Sequence, residues 1–277
     1  MRSPISRTGG KSRLAETIIR LIPKHRTYLE PFFGAGHVFF RKDLSPVEVL
    51  NDIDGELITF LRVCQSHPDE FLRCIEFHAT SRKWFEILRK SDPTTLTDIN
   101  RAVRFYFLNK NCFGGKAVGQ NYGYSISTPP RFSPNTLPEI IRAVHQRLAK
   151  TQIECLPYQE ILKRYSGPEV FAFLDPPYWL PHDYYEHNFR ESDFRALNEH
   201  LHTFKGQFIL SLNDRAEVRQ LFSDFTILSV DVAYSCGRKK TGKRNGEVLI
   251  HNLGTKKTLT PPDINSGHKQ QRSGARG

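Results

Sequence analysis

The sequence predicts an α/β protein: a mostly parallel sheet with helices on both faces, closed by an antiparallel C-terminal hairpin and interrupted by an inserted helical subdomain. Three observations carry this expectation. Short apolar runs alternate with amphipathic stretches, the pattern of a parallel sheet buried on both sides. Between residues 56 and 150 the apolar residues keep helical spacing and no strand pattern occurs. The loop joining the last two apolar runs is too short for a crossover helix, so those strands must run antiparallel.

Strands are expected at 27–33 (TYLEPFF), 47–53 (VEVLNDI), 152–156 (QIECL), 170–174 (VFAFL), 208–213 (FILSLN), 226–233 (TILSVDVA) and 247–253 (EVLIHNL). Helices fall at 10–22, 157–165 and 192–204, the last with Ser192 as its N-cap. In the insert, ELITFLRVCQ, RKWFEILRK, DINRAVRFYFLNK and LPEIIRAVHQRL read as helices, and Pro138 suits the first turn of the last one. Between the final two lies NCFGGKAVGQNYGYSISTPPRFSPN, an aperiodic connection of the length that usually serves function. The expected organisation is therefore a sheet domain built from 1–55 and 151–254, a helical insert at 56–150, and a disordered basic tail at 255–277.

Lys and Arg outnumber Asp and Glu by 40 to 29, a net charge of +11 that suits a polyanionic partner, above all nucleic acid. The tail carries five basic residues and one acid, which leaves +7 on the body. No apolar stretch is long enough to span a bilayer, and MRSPISRTGGKS lacks the apolar centre of a secretory signal. The five cysteines, Cys64, Cys74, Cys112, Cys155 and Cys236, are scattered without CxxC spacing. Free thiols in a reducing cytoplasm fit them better than disulfides or zinc. The histidines show no metal-ligand spacing, so no metal is expected.

Two glycine-rich turns suggest a small-molecule site. Strand TYLEPF runs into Gly34-Ala35-Gly36, where missing side chains would let backbone amides approach a ligand. Downstream, VEVLNDID delivers Asn51, Asp52 and Asp54 at a strand end, where a carboxylate can accept from a ribose diol. Phe39 stands where a dinucleotide fingerprint has its third glycine, and a packing turn would read the same way. GGKS at 9–12 is not a phosphate loop, since Ile5 occupies the required glycine position. Its Lys11 could still meet an anionic ligand. Finally, strand VFAFL ends in Asp175-Pro176-Pro177-Tyr178; Asp-Pro can simply start a turn, but that does not account for the residues that follow.

Taken in order, RTGGK, LEPFFGAGHVFF, NDID and FLDPPY resemble the Dam-type (D12 class) DNA adenine-N6 methyltransferases, which use S-adenosyl-L-methionine (AdoMet). The resemblance covers about residues 4–254 and implies the class I methyltransferase fold, a Rossmann-like sheet. It implies that Asp175 and the carbonyl of Pro176 accept hydrogen bonds from the adenine amine, whose lone pair is otherwise delocalised into the ring. Pro176-Pro177 would lock that carbonyl in an extended conformation, and Tyr178 would stack on a base rotated out of the duplex. The cofactor residues implied are Arg7, Lys11, Glu30, Pro31, Gly34, Ala35, Gly36, Asp52 and Asp175. Relatives often carry Trp-Ala where this chain has Arg7-Thr8, so the aromatic packing beside the cofactor differs. Tyr158 reads equally as a pocket or a core residue.

The same resemblance makes 56–150 the target-recognition region, with Asn109, Lys110, Asn111, Phe113, Tyr124 and Arg131 as candidate DNA contacts. Lys239 and Lys240, in the basic turn CGRKKTGKRNGE, are candidate phosphate contacts. Duplex DNA is the expected partner, a restriction endonuclease a further one, and a monomer suffices for the chemistry. Cytosine-C5 chemistry would need a Pro-Cys pair and zinc deamination an H-x-E with P-C-x-x-C; neither occurs. Cytosine-N4 methylation and a non-catalytic DNA-binding protein on the same fold remain as alternatives at this point.

Overall fold

The computed structural model describes residues 1–7, 9–113, 119–179, 189–230 and 246–254. Its strands are β1 (Thr27–Glu30), β2 (Val47–Asn51), β3 (Thr151–Glu154), β4 (Val170–Leu174), β5 (Gln207–Asn213), β6 (Thr226–Val230) and β7 (Glu247–His251). They form one sheet in the order β3-β2-β1-β4-β5-β7-β6. The first five are parallel, while β7 lies antiparallel between β5 and β6. This is the class I methyltransferase arrangement, with the antiparallel end that the short connection required.

Period-two alternation divides the inner strands between two cores. Tyr28, Leu50, Phe171, Phe173, Ile209 and Leu249 enter one; Leu29, Val49, Ala172, Leu174, Phe208 and Ile250 enter the other. The first core is covered by α1 (Ala15–Leu21) and by α2 (Gly55–Ser66), α3 (Pro68–Ile75), α4 (Arg82–Lys90), α5 (Asp98–Asn111) and α6 (Leu137–Leu148). The second is covered by α7 (Tyr158–Arg164), α8 (Glu191–Thr203) and α9 (Ala216–Leu221). The five helices α2–α6 thus share a core with one face of the sheet, anchored by the fully buried Phe60, Phe71, Phe85 and Phe107.

Several boundaries differ from the sequence expectation, each for a local reason. β1 stops at Glu30, because Pro31 has no N–H for the ladder and the Phe33 N–H turns to the Asn51 carbonyl (2.9 Å). α1 begins at Ala15, not near 10, because the chain turns through Gly9 at φ 80°. HVFFRK forms successive turns, with Phe40 N–H on Gly36 O and Lys42 N–H on Val38 O, both 2.9 Å. The N-cap of α8 is Arg190 rather than Ser192, its N–H held by the Asp193 carboxylate (2.8 Å). α3, which follows α2 after His67 alone and begins at Pro68, and the six-residue α9 were not expected from the sequence. Among the described residues no helix is long and apolar enough to cross a membrane, and Cys64, Cys74, Cys112 and Cys155 are free thiols.

Candidate active site

The chain builds outward from β1 through β2 and β3, then returns to place β4 on the other side of β1. Such a reversal opens a crevice at the carboxyl ends of the strands, where open α/β sheets bind ligands. Here those ends are stapled together. Asn51 donates to the carbonyls of Pro31 and Leu156 (both 2.9 Å) and accepts from the Leu156 N–H (2.9 Å). The cleft above is lined by the Gly9–Lys11 turn, the Gly34–Val38 loop, Asp52–Asp54, and Asp175 through Tyr178.

Asp175 stands at the exit of β4, and Lys11 Nζ reaches to 2.6 Å from its Oδ1. At that distance the ammonium is this oxygen's partner, a charge-assisted contact. Burial raises the Asp175 carboxyl to about 6 despite Lys11, and Glu247 adds to the rise. Lys11 Nζ also donates to the Tyr178 hydroxyl (3.0 Å) and lies 4.6 Å from that ring's centroid. The hydroxyl in turn donates to Glu247 Oε1 (2.8 Å).

On the other side, Asp52 holds the glycine loop: its carboxylate accepts from the N–H of Gly34 (2.8 Å) and of Asp54 (3.0 Å). Burial raises its pKa, and Arg7 partly offsets the rise. Gly36 needs to be glycine. Its φ is 62°, and an added Cβ would sit 2.2 Å from the Phe33 ring. Arg7 pairs with Asp54 and lies over Phe105, closing the edge where relatives were expected to place an aromatic side chain. Asp54 also caps α2, accepting from the N–H groups of Glu56 and Leu57.

Every expected cofactor residue except Pro31 lines the cleft. Pro31 is buried behind it, its carbonyl taken by Asn51. Glu30 is buried and accepts from Tyr28 (2.7 Å); desolvation lifts its carboxyl to about 8, so it is neutral at pH 7. The cleft also includes Phe32, His37, Ile53, Phe173 and Phe189; all but Phe189 stand inside the four motifs, yet none was expected as a site residue. Ile53, 47% exposed, was legible as an apolar residue between two acids, whereas nothing local marked Phe189 in the connection that follows Tyr178. Burial pushes His37 down to about 4, and its Nδ1 is buried without a hydrogen-bond partner. Tyr158 is a core residue against Phe32 and Phe189, with its hydroxyl on the Asp193 carbonyl (3.2 Å).

Two expected DNA contacts need correction. Asn109 is buried and clamps the N-terminal segment, donating to Ser6 O (2.8 Å) and accepting from Ser6 N–H (3.0 Å). Asn111 is buried as well, donating to Phe107 O (2.9 Å). Neither presents its amide at the surface. By contrast Phe113 and Tyr124 are 69% and 75% exposed, and Arg131 is exposed. Lys110 packs over Tyr106, its pKa lowered to about 8 by desolvation and by Arg131. Lys239, Lys240 and the tail lie outside the described residues.

Residues 8–236 match the family model of D12 class N6 adenine-specific DNA methyltransferases. The chain belongs to this family. It is 26% identical to the Type II methyltransferase M1.LlaDCHI of Lactococcus lactis subsp. cremoris, over 89% of this chain and 94% of that one. It is 25% identical to the DNA N-6-adenine-methyltransferase of Escherichia phage P1, across 80% of this chain but 31% of that protein. With the DNA adenine methylase of Serratia marcescens it shares 28% identity over 61% of this chain and 64% of that one. Membership decides among the chemistries that the sequence left open: the protein is an adenine-N6 DNA methyltransferase rather than a cytosine-N4 enzyme or an inert DNA-binding relative.

Proposed function

We propose that the cleft binds AdoMet and that the chain methylates N6 of an adenine rotated out of a specific duplex DNA site. The observation that carries this reading is Asp175: a half-buried carboxylate at the β1/β4 reversal, lining the cleft beside Lys11 and leading directly into Pro176-Pro177.

The residues present fit the cofactor. Gly34 and Gly36 leave the loop without side chains facing the ligand, and Ile53 and Phe32 offer apolar surfaces to a purine. Asp52 keeps lone pairs for ribose hydroxyls, since each oxygen accepts one backbone N–H. Lys11 and the orphaned His37 Nδ1 supply polar partners for the amino-acid end. When bound, AdoMet supplies an electrophilic methyl group on a sulfonium.

The chain's own part is to present the amine. Above pH 6 Asp175 is ionised and accepts one N6–H, while the carbonyl of Pro176, held extended by Pro177, accepts the other. These acceptors favour a pyramidal nitrogen and stabilise the positive charge that develops on it, with no reorganisation at the moment of reaction. The extra proton on the methylated nitrogen leaves by way of the Asp175 carboxylate. Tyr178 offers its ring to the extruded base, an interaction of roughly 1–3 kcal/mol.

We assign DNA recognition to 56–150, through exposed groups rather than the buried asparagines: Phe113, Tyr124 and Arg131, with Arg82 stacked beneath Tyr122 (4.8 Å) and Tyr124 (5.4 Å). The Type II names of two relatives support a restriction endonuclease as a cognate partner. To test the central reading, protein, unmethylated duplex DNA and methyl-labelled AdoMet are incubated and the DNA digested to nucleosides. Label is expected in N6-methyl-2′-deoxyadenosine; label in N4-methyl-2′-deoxycytidine, or none in any DNA, would refute it.

A further inference from the structure

Glu247 is a buried carboxylate behind the cleft, against Tyr178 and Lys11, to which the proposed chemistry assigns no task. It begins β7, far along the chain from the four motifs, and is 2% exposed. Its Oε1 accepts from the Tyr178 hydroxyl (2.8 Å); its Oε2 lies 3.8 Å from Lys11 Nζ and accepts from Ser211 Oγ (3.5 Å). Lys11, itself 4% exposed, therefore stands between two carboxylates, 2.6 Å from Asp175 and 3.8 Å from Glu247. Among the described residues, this ammonium faces two anions. Burying a second carboxylate beside the first costs desolvation and repulsion, which makes its presence there worth explaining.

We propose that Glu247 is a positioning residue for methyl transfer, which receives Lys11 from Asp175 as the substrate amine arrives and holds the Tyr178 ring in place through its hydroxyl. The inference rests on the function proposed above. Asp175 can grip an amine only with lone pairs that Lys11 does not claim. Moved away from Asp175, Lys11 needs a fixed anion of the protein besides the cofactor's amino-acid end if its buried charge is to stay compensated throughout. Glu247 removes that obstacle, because a shift of roughly 1 Å brings the ammonium to charge-assisted hydrogen-bond distance. Tyr178 moves least in this exchange, since its hydroxyl bonds to both Lys11 and Glu247.

The titratable groups near Asp175 are Lys11, Glu247, Glu30 and Tyr178, with His37 beyond Lys11. Glu30 and His37 are uncharged at pH 7, which leaves Lys11 and Glu247 as the described charges that set Asp175. Replacing Glu247→Gln removes a charge that raises the Asp175 pKa and also leaves Lys11 fixed on Asp175. Both changes favour ionised Asp175, yet the second obstructs it.

The test compares Glu247→Gln with wild type in kcat, AdoMet KM and the pH dependence of kcat/KM on duplex DNA. The acid limb is expected to move down by roughly half a pH unit while kcat falls about tenfold and KM changes less than about twofold. A rate that falls while the limb stays fixed indicates a merely structural residue and overturns the proposal, as do unchanged kinetics. If wild type itself transfers no methyl group, the proposed function is what has failed. Should Glu247→Gln not fold, Tyr178→Phe keeps the ring and removes the tether. It is expected to lower kcat about fivefold while 2-aminopurine at the target position still brightens on extrusion as with wild type; wild-type turnover would overturn the proposal.

Discussion

Asp175 combines a cost to stability with a gain in reactivity. Burial holds its carboxyl near 6, above the 3.8 of an exposed Asp, so the folded state binds that proton more tightly than the unfolded chain does. Ionisation therefore costs folded-state stability above pH 6, and the cost disappears as pH falls below the unfolded value. Two outcomes follow for this residue. Wild-type kcat/KM should fall with acidification through about pH 6, because the amine needs the ionised acceptor. Asp175→Asn should lose methyl transfer by at least about 100-fold. In thermal or urea unfolding at pH 8 the same variant should be as stable as wild type or on the order of 1 kcal/mol more stable, since it removes the buried charge. A variant that unfolded readily would mean that the carboxylate holds the fold together.

Individual elements owe their position to few contacts, and α2 shows this most directly. Its N-terminus is capped by Asp54, which also pairs with Arg7 and so ties the Gly9–Lys11 turn to the helix that opens the 56–150 segment. Asp54→Ala is expected to destabilise the protein by about 1 kcal/mol through the lost cap, with a further loss from Arg7, in urea denaturation. AdoMet binding measured by calorimetry should weaken as well, because Arg7 lines the cleft and would lose its anchor. Asn109 acts from α5 in a similar way: an amide that reads like a base reader holds the Ser6 backbone instead. That role was invisible locally, because the two residues are 103 positions apart.

At the scale of the whole molecule, a net charge of +11 must face something anionic. Much of it lies in the turn holding Lys239 and Lys240 and in the tail, and the body retains the rest. Replacing Lys239 and Lys240 together by Ala is expected to weaken binding to all duplexes alike and to reduce the slope of log K against log salt by roughly 0.9 per lost phosphate contact. Fluorescence anisotropy across a salt series measures both. An effect confined to one base position would show that these lysines read sequence.

All seven strands, the antiparallel end of the sheet and the longer helices were legible in the sequence, because period-two and period-3.6 burial are properties of neighbouring residues. The four motifs were legible for a related reason. Gly36, Asp52 and Asp175-Pro176-Pro177 each impose a local backbone or charge requirement that few residue types meet. Only the folded chain decided which groups face them. Glu247 reaches Lys11 and Tyr178 through the order of strands in the sheet, His37 and Phe189 enter the cleft through loop paths, and Asn109 and Asn111 turn inward through helix packing. Contacts of that kind depend on residues that only the closing of long chain segments brings together, and no local pattern encodes them.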